Sequence, residues 1–286
     1  MMKPQAGREW YERREDLPVW RLIRETPGDP VRNMAVDEAL LLAPADGRGS
    51  PTLRLYGWVP PAVSLGRFEP SLPLNARNFC RLAGIQVVRR PTGGGRVLHD
   101  AEVTYSLTAP LGSYPFPRSV IRIYQKIADA LQQGLAVMGL DCEARERDRS
   151  SWRGDFTEPC FSRVGRWEIC WRGRKILGSA QARVGNRFLQ HGSLPIRLDR
   201  AMLLRAAGGT PGSAETMPAV SLEEALGRRP SAEEISEALV RGFERSFGIR
   251  FQAGSLSLPE RELVNRIIGR RTAPAPAAGS SQLSLS

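Results

Sequence analysis

Between residues 118 and 138 the apolar side chains Val120, Tyr124, Ile127, Leu131, Leu135 and Met138 recur every three or four positions, and Gly139 follows directly. That spacing is the period of an amphipathic helix, and a glycine just past the last turn is a common way to end one. Ile235, Leu239, Phe243 and Phe247 repeat the pattern. Ser231 and Glu234 are spaced as a capping box ahead of this run, and Gly248 closes it. Residues 30–42 (PVRNMAVDEALLL) predict a further helix with Met34, Ala35, Ala39, Leu40 and Leu42 crowding one side, and 75–83 predict another. Elsewhere the apolar runs are strand-sized: 19–23, 52–56, 62–65, 85–89 and 102–109. Three more, 167–171, 175–182 and 187–194, read as a meander turned at Arg172-Gly173 and Gly185-Asn186.

Helices and strands are intermixed without strict alternation, and hairpins are frequent. The expected fold class is therefore α+β, with a mixed, largely antiparallel sheet flanked by helices, rather than a doubly wound parallel sheet. Residues 1–17 read as a polar lead-in and 18–268 as one large catalytic domain. Residues 269–286, dominated by Pro, Ala and Ser, read as a disordered tail. The charged, irregular stretch 143–158 is expected to be a mobile surface loop. No internal repeat is visible.

Composition narrows the class. A chain of 286 residues can bury a core without staples, and 41% hydrophobic with 25% charged residues is ordinary for a globular protein. No apolar run approaches the roughly 20 residues of a membrane span, and the charged start has no apolar signal core. The cysteines Cys80, Cys142, Cys160 and Cys170 form no CxxC unit, which suits a reducing cytoplasm better than a disulfide framework. The two histidines, His99 and His191, lie far from the cysteines in sequence, so neither a metal site nor a cofactor is expected. The formal net charge of +11 fits a solvated arginine-rich surface, or a basic face that steers association with acidic partner proteins. No helix-turn-helix, RNA-binding or zinc-finger pattern points to nucleic acid.

Three segments carry candidate chemistry. In Arg89-Arg90-Pro91-Thr92-Gly93-Gly94-Gly95-Arg96-Val97-Leu98-His99-Asp100, successive glycines leaving a strand let backbone N–H groups approach a ligand closely, and the arginines add fixed positive charge. This suits a carboxyl, thioester or phosphate group. The spacing is neither a Walker loop nor a dinucleotide fingerprint. The second segment joins Lys175 and Gly178-Ser179-Ala180 to His191-Gly192, where a lysine beside small residues fits a confined pocket. The third is Glu158-Pro159-Cys160-Phe161. A cysteine attacks well only as thiolate, which calls for a nearby positive charge, and Lys175 lies fifteen residues on. Cys170 competes, because a two-residue turn would set it opposite Lys175, but bulky strand neighbours suit it to packing.

Taken together, these segments resemble the lipoate-protein ligase and octanoyltransferase family, whose fold is shared with biotin-protein ligases. The resemblance runs nearly to residue 268. It includes NMAVDEAL at 33–40, LYGW at 55–58, LGRF at 65–68, RRPTGGGRVLHDAEVTYS at 89–106, KILGSAQAR at 175–183 and LQHGS at 189–193. Pro159-Cys160-Phe161 ahead of a Trp-Glu strand is similar to the family's cysteine-dependent octanoyltransferases. That likeness implies Cys160 as nucleophile and Lys175 as its partner. It also implies a substrate-binding set of Arg89, Arg90, Gly93, Gly94, Gly95, His99, Gly178, Ser179, Ala180, His191 and Gly192. The implied donor is acyl carrier protein bearing octanoyl. The implied acceptor is a lysine of a lipoyl domain or of the glycine-cleavage H protein, served by a cytoplasmic monomer. The accessory C-terminal domain of single-chain ligases has no counterpart in this reading. Glycine triplets also occur in the ligases, so an ATP-dependent lipoate ligase, an octanoyl amidotransferase between lipoyl proteins and a non-catalytic acyl-binding protein stay open.

Overall fold

In chain order the strands are β1 (Val19–Arg24), β2 (Thr52–Tyr56), β3 (Ala62–Leu65), β4 (Gln86–Arg89), β5 (Arg96–His99), β6 (Glu102–Pro110), β7 (Glu143–Arg145), β8 (Glu168–Trp171), β9 (Arg174–Val184), β10 (Arg187–Pro195) and β11 (Arg250–Ala253). The helices are α1 (Pro30–Leu42), α2 (Leu74–Leu82), α3 (Val120–Val137), α4 (Arg200–Ala207), α5 (Leu222–Leu226), α6 (Ala232–Phe247) and α7 (Leu258–Thr272). The computed structural model describes residues 17–43, 51–112, 114–145, 168–209 and 217–272. Cys160, the lead-in before residue 17, the stretch 146–158 and the tail beyond Thr272 lie outside them.

Eight strands make one sheet in the order β11-β1-β2-β6-β10-β9-β8-β7. β1 is parallel to both neighbours and every other pairing is antiparallel, so the predicted mixed sheet is present. Its β8-β9-β10 meander turns where expected. Arg172 and Gly173 take φ values of 47° and 75°, the left-handed pair that a two-residue hairpin needs to match strand twist. β3, flanked by parallel β4 and antiparallel β5, makes a second, small sheet.

Local signals explain most helix ends. Pro30 opens α1, where a missing N–H costs nothing, and the Asp29 carboxylate accepts the Arg32 N–H. Ser119 caps α3 and Gly139, at φ 85°, follows its end. Ser231 caps α6 as predicted, but the Glu234 carboxylate pairs with Arg228 instead of completing the box. The full capping box forms at Ser221 and Glu224 of α5. α4, α5, α7, β5, β7 and β11 were not anticipated. α7 also carries helix through Thr272, past the expected boundary at 269.

Alternation along β2 separates the two faces of the large sheet. Leu53 and Leu55 enter the main core with Tyr105, Phe188, Leu131, Leu239 and Phe243, covered by α3 and α6. These helices cross at Gly134 and Gly242, where a Cβ on Gly242 would stand 2.3 Å from both Ala130 O and Gly134 N. Arg54 and Tyr56 point the other way, toward α1, which in turn packs on α7 through Ala35, Ala39, Val264 and Ile267. The small sheet has its own core with α2 and α4. No described helix is long and apolar enough to cross a membrane.

Candidate functional site

Strand register decides which candidate residues share a face. Arg54 pairs with Ser106, Ser106 with His191, and His191 with Ala180, while Gly178 pairs with Ser193. Directly paired residues point the same way, so Gly178, Ala180 and His191 lie on the α1 side of the sheet. Ser179, Gly192 and Tyr105 fall on the opposite face. There the Tyr105 hydroxyl meets Ser179 Oγ at 2.7 Å and accepts from Gln190 Nε2 at 3.1 Å. Burial pushes the Tyr105 phenol up to about 12, partly offset by those two hydrogen bonds. The adjacent residues 178–180 thus serve two sides of the sheet.

Lys175 enters β9 just after the hairpin and is 1% exposed. Cys170 stands opposite Lys175, as the turn length predicted, and the register then slips so that Ile169 pairs with Leu177 and Ile176 is skipped. The Lys175 ammonium donates to Glu168 Oε1, at the start of β8. A Cβ on Gly178 would lie 2.8 Å from Lys175 Cε and 3.0 Å from its Nζ, so the glycine leaves the space that the lysine tip occupies. Burying charges this deep is costly, and the mutual pairing offsets part of that cost.

The described cysteines make poor nucleophiles. Burial, reinforced by the Asp141 charge, pushes the Cys142 thiol up to about 12. Burial also raises Cys80, and Cys170 is fully buried.

The glycine segment is a clamped loop between β4 and β5. Arg90 is buried, and its guanidinium donates to Ser64 O at 2.9 Å and to Gly93 O and Gly95 O at 2.8 Å. Arg89 Nη1 donates to Gly66 O and Glu69 O at 2.7 Å. Both arginines expected to bind substrate thus hold backbone in shape, Arg90 that of the glycine loop and Arg89 that of residues 66–69. Beneath the loop, a Cβ on Gly66 would fall 1.8 Å from Gly94 O, so the two backbones touch with no room for a side chain. Gly94 itself is exposed with φ 90°.

Both histidines of the chain bridge a carboxylate to a hydroxyl. The Thr92 hydroxyl lies 2.7 Å from His191 Nε2, and His191 Nδ1 lies 2.9 Å from Asp37 Oδ2. A carboxylate can only accept, so Nδ1 carries the proton and Nε2 accepts from Thr92. Burial lowers the His191 pKa, and the nearby Arg90 charge adds to this against the opposing pull of Asp37, so the ring is neutral near pH 7. Asp37 also takes Arg54 Nη1 at 2.8 Å and Tyr56 Oη at 2.9 Å. Burial opposes its ionisation, but His191 and Arg54 outweigh that and hold its pKa below the ordinary value. In parallel, His99 Nδ1 meets Glu102 Oε1 at 2.9 Å and its Nε2 meets Ser64 Oγ at 2.7 Å, with the ring stacked 4.0 Å from Trp58.

The predicted residues therefore gather as the Lys175–Gly178–Ala180 floor, the clamped Gly93–Gly95 loop and the His191 support, while Ser179 and Gly192 face the main core. Sequence reading missed Asp37, Arg54, Thr92, Glu102 and Glu168. Asn33 and Asp37, one turn apart on an otherwise apolar helix face, were the available sign of a buried polar network. Glu168 gave none.

Residues 29–244 match the lipoyl protein ligase A/B catalytic domain family. Octanoyltransferase LipM of Kyrpidia tusciae is 37% identical over 265 residues, spanning 89% of this chain and 96% of that protein. Its counterpart in Moorella thermoacetica is 39% identical over 255 residues, spanning 85% and 92%. Among solved structures, lipoate-protein ligase A bound with ATP superposes with a TM-score of 0.72 at 24% identity, over 88% of this chain and 94% of that one. The bi-partite lipoate protein ligase of Thermoplasma acidophilum gives 0.70 at 21%, over 89% and 93%. The family match and the sequence identity, each extending across most of the chain, carry the conclusion: this protein belongs to the lipoyl protein ligase A/B catalytic family, among relatives that are LipM octanoyltransferases.

Proposed function

We propose that this protein transfers octanoyl from acyl carrier protein, through a thioester on Cys160, to a lysine of a lipoyl domain or glycine-cleavage H protein, without ATP. The observation that carries the reading is the buried Lys175 ammonium, seated at Gly178 on the sheet face that also bears Ala180 and His191. A thiolate at Cys160 needs such a charge, and the described cysteines are buried or hard to ionise.

In the first step the Cys160 thiolate attacks the donor thioester and the carrier thiol leaves. The exchange is nearly balanced in energy, because one thioester replaces another. In the second, the acceptor amine attacks the acyl-enzyme, and conversion of thioester to amide drives the reaction forward. Lys175 and backbone N–H groups near Gly178–Ala180 stabilise the carbonyl oxygen as charge develops on it. Burying about six methylenes at ~0.8 kcal/mol each contributes roughly 5 kcal/mol, enough to prefer a medium chain but not to hold it tightly. Docking of the carrier supplies the rest, and a protein with net charge +11 suits an acidic carrier.

The test is intact-mass spectrometry after incubation with octanoyl-carrier protein, comparing wild type, Cys160→Ser and Cys170→Ser. An octanoyl adduct abolished only by Cys160→Ser is expected. No adduct on wild type, with lipoylation that requires ATP and free lipoate, would refute the proposal in favour of adenylate chemistry.

A further inference from the structure

We propose that Glu168 is a second catalytic residue, whose carboxylate takes the proton that the acceptor lysine must shed before it can attack the acyl thioester. This rests on the acyl-enzyme reading above and adds the route of the proton.

The first argument is placement. Glu168 is 9% exposed, and its Oε1 accepts from the Lys175 ammonium. The same oxygen lies 3.5 Å from where a Cβ on Gly178 would stand, so the carboxylate borders the small-residue floor. Tyr124 on α3 is close enough that the Glu168 charge helps burial and Tyr105 hold its phenol protonated. Glu168 therefore meets Lys175 from β9 and lies within electrostatic range of Tyr124 on α3, and Lys175 is a cation with no lone pair to offer.

The second argument is economy of charge. If Lys175 served only to favour a thiolate, a carboxylate on its ammonium would work against that service, because it offsets the positive charge the sulfur needs. Burying the pair also carries a desolvation cost that apolar side chains would avoid. A carboxylate kept here has a task of its own.

The third argument is the chemistry of the acceptor. A lysine side chain with an ordinary pKa near 10.4 is neutral in only about one molecule in 2,500 at pH 7. As ammonium it has no electron pair with which to attack. An anionic site bordering the Gly178 floor both draws the cation in and removes its proton. Glu168 takes one proton from the ammonium and becomes the neutral acid. The freed nitrogen pair forms the C–N bond. The C–S bond breaks with its electrons going to sulfur, and the second nitrogen proton follows, leaving Cys160 as thiol. Glu168 then returns its proton to water. The sum is thioester plus alkylammonium giving amide, thiol and one released proton.

The experiment separates the half-reactions. Wild type, Glu168→Gln and Glu168→Asp are acylated by octanoyl-carrier protein and followed by intact mass. Each acyl-enzyme is then mixed with an apo lipoyl domain or, separately, with hydroxylamine, which is uncharged at neutral pH. Glu168→Gln should acylate at least as fast as wild type, because the Lys175 charge is no longer offset, and transfer to the lipoyl lysine at least 100-fold more slowly, the usual contribution of a general base. Hydroxylamine should discharge both acyl-enzymes equally, and Glu168→Asp should retain part of the transfer rate. Unchanged transfer to lysine in Glu168→Gln would overturn the assignment. So would an equal fall of both half-reactions and of hydroxylamine discharge, the signature of a structural ion pair. Wild type that never acquires the acyl group defeats the Cys160 reading itself, an outcome distinct from either.

Discussion

The contact between Gly66 and the glycine loop makes a quantitative demand. In Gly66→Ala the new methyl would sit 1.8 Å from Gly94 O and 2.8 Å from Gly94 C, whereas real Cβ atoms essentially never come within 3.0 Å of a neighbour. The obstacle is backbone, so no rotamer change relieves it, and the loop must retreat by about 1.2 Å, the gap between 1.8 Å and 3.0 Å. The loop is not free to do so. Arg90 grips Gly93 O and Gly95 O, Gly66 N–H donates to Gly95 O at 3.2 Å, and Thr92 is tied to His191. Loss of one or two of these buried hydrogen bonds costs about 1–3 kcal/mol each. A displacement near 1 Å in a group that positions substrate costs about 100-fold in rate. The assay is octanoyl transfer to an apo lipoyl domain, with urea denaturation alongside. Gly66→Ala should lower kcat/KM by about 100-fold while leaving a cooperative unfolding transition. The control is Gly269→Ala on α7, where a Cβ meets nothing within 4 Å. It should keep full activity and gain up to about 1 kcal/mol of stability from helix propensity. Wild-type kcat/KM in Gly66→Ala would refute the claim that the loop is fixed by this contact.

Two further outcomes follow from buried groups. His191 has a folded-state pKa below its ordinary value, so the unfolded chain takes up a proton first as the solution acidifies. Stability should begin to fall as pH drops below about 6.5. Asp37, whose folded-state pKa is lowered, contributes stability that is present above about pH 3.9 and lost as pH falls through its folded value. Urea midpoints from pH 4 to 8 should show the first decline in wild type and a flatter profile between pH 5 and 6.5 in His191→Gln; equal slopes would contradict the assignment. At the α3–α6 crossing, a Cβ on Gly242 would stand 2.3 Å from Ala130 O and Gly134 N. Gly242→Ala should therefore lose about 1–3 kcal/mol of stability despite its better helix propensity, with activity per folded molecule retained. A gain in its denaturation midpoint would show that the helices separate easily.

Much of the scaffold could be read along the chain because its causes are local. The period of Val120 to Met138, the stop at Gly139, the proline opening α1 and the Arg172-Gly173 turn are short-range effects of backbone sterics and amphipathic burial. From that turn length even the Cys170–Lys175 pairing followed. The glycine run and Lys175 were legible for a similar reason: unusual residue types stand out wherever they occur. α4, α5 and α7 were not legible, since they are short or weakly patterned and owe their helicity to the surfaces they cover. Nor was the Glu234 side chain, which a neighbouring arginine draws away from its cap.

What only the tertiary structure decided is which charges meet. The chain order places Asp37, Arg54, Thr92 and His191 far apart, and nothing in their spacing says that one helix, two strands and a loop bring them within hydrogen-bond reach. Ser179 and Gly178 take opposite faces by local alternation, but only strand pairing decides that Gly178 shares the α1 side with His191 and Ser179 the main core with Tyr105. It likewise commits Arg89 and Arg90 to backbone carbonyls where sequence suggested charges open to a ligand. Residue type and local period set what each segment can become. The partner of a buried charge is a long-range property, fixed by strand pairing and helix packing.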